Sequence, residues 1–253
     1  MEFELYYYAI FFATGLLAGF VDSIAGGGGI IAVPVLLASG IPPHIALATN
    51  KLQSSFGSFT ASLNYIRKGL VSVKDVYMGV FFTFIGAGLG TYSILLIDVK
   101  ILTKIIPLMM VIIFLYTLFT PKLGSQDRHN VLKPKLFYLM FGIILGFYDG
   151  FFGPGTGAFW TIAIVTLLGL NLKSATAQTK IMNFTSNIVS LGVFVIVGEI
   201  LWIIGIIMGI GQVIGAYLGS SLVVKKDVKF VRTFFLIIVG ITLLKLLYDS
   251  YLS

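Results

Sequence analysis

Two lysines stand inside stretches that otherwise suit a lipid environment. Lys51 lies in ATNKLQSS, residues 48–55, and Lys180 in ATAQTKIMNFT, residues 175–185. A lysine at the centre of a membrane helix costs about 2.5–3.5 kcal/mol, so each needs a physical reason to be there. Thr49, Asn50, Gln53 and Ser54 surround the first; Gln178, Thr179, Asn183 and Thr185 surround the second. Polar groups at membrane depth require partners or water. Both clusters are therefore expected to face a hydrated cavity, with the lysines supplying positive charge and the amides and hydroxyls supplying hydrogen bonds. The guest of such a cavity is an anion. The competing reading is that each lysine snorkels to the interface along its apolar stem.

Two aspartates extend the pattern. Asp22 precedes the turn AGGGG, with Gly26, Gly27, Gly28 and Gly29, and Asp149 precedes GPGTG, with Gly153, Gly155 and Thr156. Glycines permit close backbone approach, and amides at a helix start offer unpaired donors at the positive end of the dipole. Such an end binds anions. The aspartates then serve as counter-ions to the lysines, as caps of the following helix, or as proton-coupling groups. Two carboxylates sharing a proton also activate water, but the Gly-x-Gly-Asp string of intramembrane aspartyl proteases is absent. No catalytic residue is assigned, and the chain is not read as an enzyme.

The elements that must position these residues follow from composition. Of 253 residues, 58% are apolar and 11% charged, against about 25% charged in an average soluble domain; the mean hydropathy is +1.02. Apolar runs fall at about 5–24, 29–39, 44–66, 75–97 and 101–120, and again at about 136–152, 156–170, 174–197, 200–224 and 229–249. Several match the roughly 20 helical residues that cross a bilayer core. The fold class is an all-α polytopic membrane protein. The acidic start MEFELYYY lacks the basic region of a signal peptide, so the first run is expected to be a resident helix.

The second set of runs repeats the first. GFVDSIAGGGG from Gly19 aligns with GFYDGFFGPGT from Gly146, placing Asp22 against Asp149 at an offset of 127. Beyond Gly40 and Gly169 the offset is 129, which pairs Lys51 with Lys180, Gly69 with Gly198, GAGLG at 86–90 with GAYLG at 215–219, and Asp98-Val99-Lys100 with Asp227-Val228-Lys229. The expected organisation is a first repeat at 1–120, a connecting loop at 121–135 and a second repeat at 136–253. Where the repeats differ, at Asn50 against Thr179 and Gln53 against Met182, a shared site must be asymmetric.

Charge orients the repeats. If each makes an odd number of crossings, Arg67, Lys68, Lys74, Lys122, Arg128, Lys133, Lys135, Lys173, Lys225, Lys226, Lys229 and Arg232 share one side, leaving Lys100, Lys104 and Lys245 on the other. The basic side is cytoplasmic. Loop 121–135 is then inside, both termini are outside, and the repeats are inverted. The second run of each repeat is the short one, and residues 29–39 make a helix of only about 17 Å, less than the bilayer core. Eight to ten segments therefore span, with one short or re-entrant helix after the glycine turn of each repeat. Such paired, interrupted segments mark the binding site of many transporters.

Other classes are disfavoured. The net charge of +7 resides in connections rather than on a basic face interleaved with aromatics, so nucleic acid is not an expected partner. There is no cysteine and no histidine cluster at ligand spacing; no metal or cofactor is expected. The expected partners are the lipid bilayer and a small anionic substrate, carried by alternating access at the repeat interface or, in an alternative reading, passed through a channel.

GFVDSIAGGGG, ALATNKLQ and GFYDGFFGPGTG together resemble the signature of the sulfite exporter TauE/SafE family, in its YfcA-like branch, and the resemblance runs over essentially the whole chain. It implies a bacterial inner-membrane permease for small anions, with sulfite, sulfonates, sulfoacetate and related organic anions associated with different members. The family pattern places weight on Asp22, Gly26 to Gly29, Asn50 and Lys51, and on Asp149, Gly153, Gly155 and Lys180.

Overall fold

The computed structural model describes residues 3–119, 131–197 and 200–225. Nine helices form among them, at the expected places: α1 Leu5–Ala25, α2 Gly28–Ala38, α3 Pro43–Arg67, α4 Val73–Leu95, α5 Val99–Phe119, α6 Pro134–Phe151, α7 Thr156–Leu167, α8 Leu172–Val197 and α9 Trp202–Lys225. The final expected run at 229–249, most of the connecting loop and Gly198 lie outside the described residues. Helices α1, α4, α8 and α9 are long and apolar enough to cross a membrane, whereas α2 and α7 are short and apolar. The polar content of α3, including Thr49 to Gln53, lowers its hydropathy although its 25 residues give ample length.

Helix contacts run between the sequence halves. α1 packs most extensively on α9, and α4 on α6. Both seams are made by glycines. A methyl at Gly86 would lie 2.4 Å from the Ile143 carbonyl oxygen, and one at Gly90 would lie 2.0 Å from that of Phe147. Their counterparts behave alike: a methyl at Gly215 would lie 2.0 Å from the Leu16 carbonyl oxygen and one at Gly219 2.4 Å from that of Phe20. Small residues allow such backbone approach where apolar burial supplies no drive between helices in lipid. The ascending contacts, 86 with 143 and 90 with 147, make α4 and α6 parallel. α1 and α9 are parallel on the same ground, from Gly15 with Met208 to Gly219 with Phe20.

Helices α3 and α8 cross at the middle and run antiparallel. Ser58 accepts a 3.5 Å hydrogen bond from Asn187, while Phe59 packs on Phe184. The directions bring the carboxyl end of α3, with Arg67, to the same end as the starts of α4, α6 and α8, with Lys74, Lys135 and Lys173. Lys100 and Lys104, at the start of α5, follow the far end of α4. Phe81, Phe84, Tyr92, Ile144, Ile203 and Tyr217 are exposed on the outer face, as a lipid-facing surface requires.

Candidate functional site

The two glycine turns meet in the interior. Gly26 adopts φ +77° and Gly155 φ +84°, left-handed conformations open to glycine without a Cβ penalty. The Ala158 N–H donates to the Gly26 carbonyl at 3.2 Å, and Gly29 packs on Pro154. These contacts bring the amino ends of α2 and α7 together. At this junction lies a cavity of about 20 Å³, room for about one water molecule.

Its wall contains most of the residues singled out by sequence. Asp22, Gly26 and Gly29 come from the first turn, Asn50 and Ser54 from α3, Asp149, Gly153, Gly155 and Thr156 from the second turn, and Asn183 from α8. Gly157 and Asn187 complete it. Asn187 was legible as the residue one helical turn after Asn183, on the same face, and Gly157 as the last residue of the GPGTG turn. Of the other candidates, Gly27 and Gly28 shape the first turn without lining the cavity. Gln53 donates to Asn50 at 2.8 Å and accepts from Gln212, and Gln178 accepts from the Tyr138 hydroxyl at 2.8 Å; both stand outside the wall.

The lysines stand behind it, each committed to an aspartate of the other sequence half. Lys51 Nζ donates to Asp149 Oδ1 at 2.7 Å and to the Asp149 carbonyl. Lys180 Nζ donates to Asp22 Oδ2 at 2.9 Å. Lys51 is 1% and Lys180 0% exposed, so neither snorkels. The sequence offered pairing with a lysine or capping of the half-helix as alternatives for the aspartates, and Asp22 does both: the Gly28 N–H donates to its Oδ1 at 3.1 Å. Asp149 instead accepts from the Ser186 hydroxyl, a residue three positions after Asn183 that was not among the sequence candidates.

The chemistry available is recognition without covalent change. Two positive and two negative side chains cancel, while helix starts and buried carboxamides furnish directional donors. Asn183 is 5% exposed, and its Oδ1 is buried without a hydrogen-bond partner. Among the described residues no cluster of three or more His, Cys, Asp or Glu is placed to hold a metal. His44, near the start of α3, lies 3.1 Å through Nε2 from the Ile94 carbonyl oxygen, at the periphery rather than in the site.

The chain is 47% identical over 246 residues to a probable membrane transporter protein of Haemophilus influenzae, covering 96% of this chain and 95% of the relative. It is 43% identical over 242 residues to the probable membrane transporter protein YfcA of Escherichia coli K12, covering 96% and 90%. A more distant relative, the probable membrane transporter protein YdhB of Bacillus subtilis, is 25% identical over 220 residues, covering 84% and 87%. No solved structure matches the chain. Residues 11–246 match the family described as sulfite exporter TauE/SafE, and the chain belongs to that family of membrane transporters.

Proposed function

We propose that this transporter is a permease for a small anion, a sulfur oxyanion, sulfonate or related organic anion, working by alternating access around the cavity between the glycine turns. The observation that carries the reading is the pair of reciprocal ion bridges, Lys51 to Asp149 and Lys180 to Asp22, flanking a polar cavity with an unpaired carboxamide. Each bridge joins one half to the other. Relative motion of the halves therefore acts directly on the cavity.

An inverted-repeat organisation is supported by the form of the contacts. Residue i of one half touching j of the other, with the equivalent j touching i, is the mark of a two-fold relation; both the ion bridges and the helix seams follow it. The axis passes near Ser58 and Asn187, which are equivalent at an offset of 129 and touch each other. Because α3 and its counterpart α8 run antiparallel, that axis lies in the membrane plane, as in other inverted-repeat transporters. The basic helix ends at one side make that side cytoplasmic. The two repeats are residues 1–120 and 136–253.

The small cavity corresponds to a closed form, with the substrate admitted when the helices around the glycine turns part. The protease reading gains nothing, since each carboxylate is committed to a lysine rather than sharing a proton with the other. The test is uptake by the purified full-length chain in proteoliposomes, with sulfite, thiosulfate, methanesulfonate, sulfoacetate and acetate as labelled probes. Accumulation of at least one above its external concentration when an ion gradient is imposed is the expected result. Equilibration without accumulation under every gradient would assign a channel, and no flux of any probe would remove the anion reading.

A further inference from the structure

Asp22 and Asp149 occupy matching positions but use their second oxygens differently. Asp22 Oδ1 accepts from the Gly28 N–H, six residues on, and so places a carboxylate on the amino end of α2. The matching donor after Asp149 is Gly155, whose N–H makes no such bond. Asp149 is held by Lys51 at Oδ1 and by the Ser186 hydroxyl at Oδ2. The equivalent of Ser186 in the first half is Gly57, where a Cβ would lie 2.0 Å from Gln212 Oε1. The group that turns the carboxylate aside exists in one half only.

We propose that the anion is held asymmetrically, at the amino end of α7, and that Ser186 is the positioning residue that keeps Asp149 away from it. This rests on the anion-permease reading. The Thr156 and Ala158 amides already donate to the carbonyls of Gly153 and Gly26, which leaves the Gly155 and Gly157 amides beside the cavity. A second observation points to the same spot. Asn183, 5% exposed, lines the cavity with its carboxamide oxygen unbonded, and its Nδ2 lies 2.9 Å from where a Cβ on Gly157 would stand. A half-turn of this unanchored carboxamide chooses which end meets a guest. Asp22, reaching the amino end of α2, is in effect the protein's own anion at the counterpart end.

The test uses the full-length chain in proteoliposomes with sulfite as probe, comparing wild type, Ser186→Ala, Ser186→Thr and Asn183→Leu. In Ser186→Ala the released Asp149 carboxylate competes for the Gly155 amide, so KM for sulfite rises roughly tenfold, on the scale of one charge-assisted hydrogen bond, while the maximal rate stays within about twofold. Ser186→Thr, which keeps the hydroxyl, restores KM, and Asn183→Leu raises it. Melting temperatures without sulfite confirm that all four are folded. An unchanged KM in Ser186→Ala, a loss confined to the maximal rate, or a failure of Ser186→Thr to restore KM overturns the proposal while leaving the anion permease intact. If wild type moves none of the five probe anions, the permease reading and this inference fall together.

Discussion

The two buried ion pairs are alike in their first contact and unlike in everything after it. Lys51 and Asp149 meet at 2.7 Å with side chains 2% and 6% exposed, while Lys180 and Asp22 meet at 2.9 Å with side chains 0% and 20% exposed. The more enclosed carboxylate needs a second protein donor and takes a serine; the more open one reaches a backbone amide. The cross-linking of the halves is matched in the two pairs, while the surroundings of each link differ.

The comparison is broken most directly by removing one cation at a time. Lys51→Met strands Asp149 in the more enclosed position, and truncating one partner of a buried pair costs about 3–5 kcal/mol. Lys180→Met should cost less, because Asp22 retains water access and the Gly28 amide. Thermal unfolding in detergent, with folded yield, checks the order. Equal losses would show that the difference in exposure has no energetic weight. In the first pair, Lys51→Met combined with Asp149→Leu should recover much of the loss, since an apolar replacement of a buried pair is often neutral.

Where backbone meets backbone, the halves should respond alike. Gly90→Ala and Gly219→Ala each put a methyl within 2.4 Å of a neighbouring atom, Phe147 O in one case and Ser23 Oγ or Phe20 O in the other. Overpacking of this kind typically costs about 1–3 kcal/mol. Gly88, whose Cβ would find its nearest neighbour at 3.8 Å, is the internal control; Gly88→Ala should be neutral or slightly stabilising because helix propensity favours alanine by roughly 0.5–1 kcal/mol. A destabilised Gly88→Ala alongside a tolerated Gly90→Ala would mean that the seam between α4 and α6 is not the one described.

The helix positions and most of the cavity wall were legible because each leaves a local trace. Apolar runs of fixed length, glycine-rich turns and polar residues in lipid-soluble surroundings are visible one residue at a time, so Asn50, Asn183 and both aspartates were found. The exchange of partners between halves was not. Lys51 could as well have paired with Asp22, and no spacing rule selects Asp149 from 98 residues away. Ser186 and Gln212 escaped for a related reason: the place of a small hydroxyl or amide on a helix does not name its partner, and its role exists only once the fold brings Asp149 or Gln53 against it. Tertiary pairing decides what local pattern leaves open.

The finest contrast lies one step outside the cavity. Gln53 and Met182 are equivalents, and so are Gln212 and Thr83, at the same offset of 129; the structure pairs Gln53 with Gln212 and Met182 with Thr83. One contact thus occurs twice, first between two carboxamides at 2.5 Å, then between a hydroxyl and a thioether at 3.6 Å. Gln212→Leu leaves the buried Gln53 carbonyl oxygen without its donor and should destabilise by about 1 kcal/mol, near the measured scale of interhelical hydrogen bonds in membranes. Thr83→Val removes a hydroxyl whose partner is only a weak sulfur acceptor, and its cost should stay below about 0.5 kcal/mol, since valine fills the same volume and a thioether packs as well on a methyl. The Gln53 network also reaches Asn50 in the cavity wall, so Gln212→Leu should raise KM for the transported anion by a few-fold, whereas Thr83→Val should leave it unchanged. If Thr83→Val alters transport as much as Gln212→Leu, the polar contact is not what distinguishes the halves, and the asymmetry rests on the glycine turns alone.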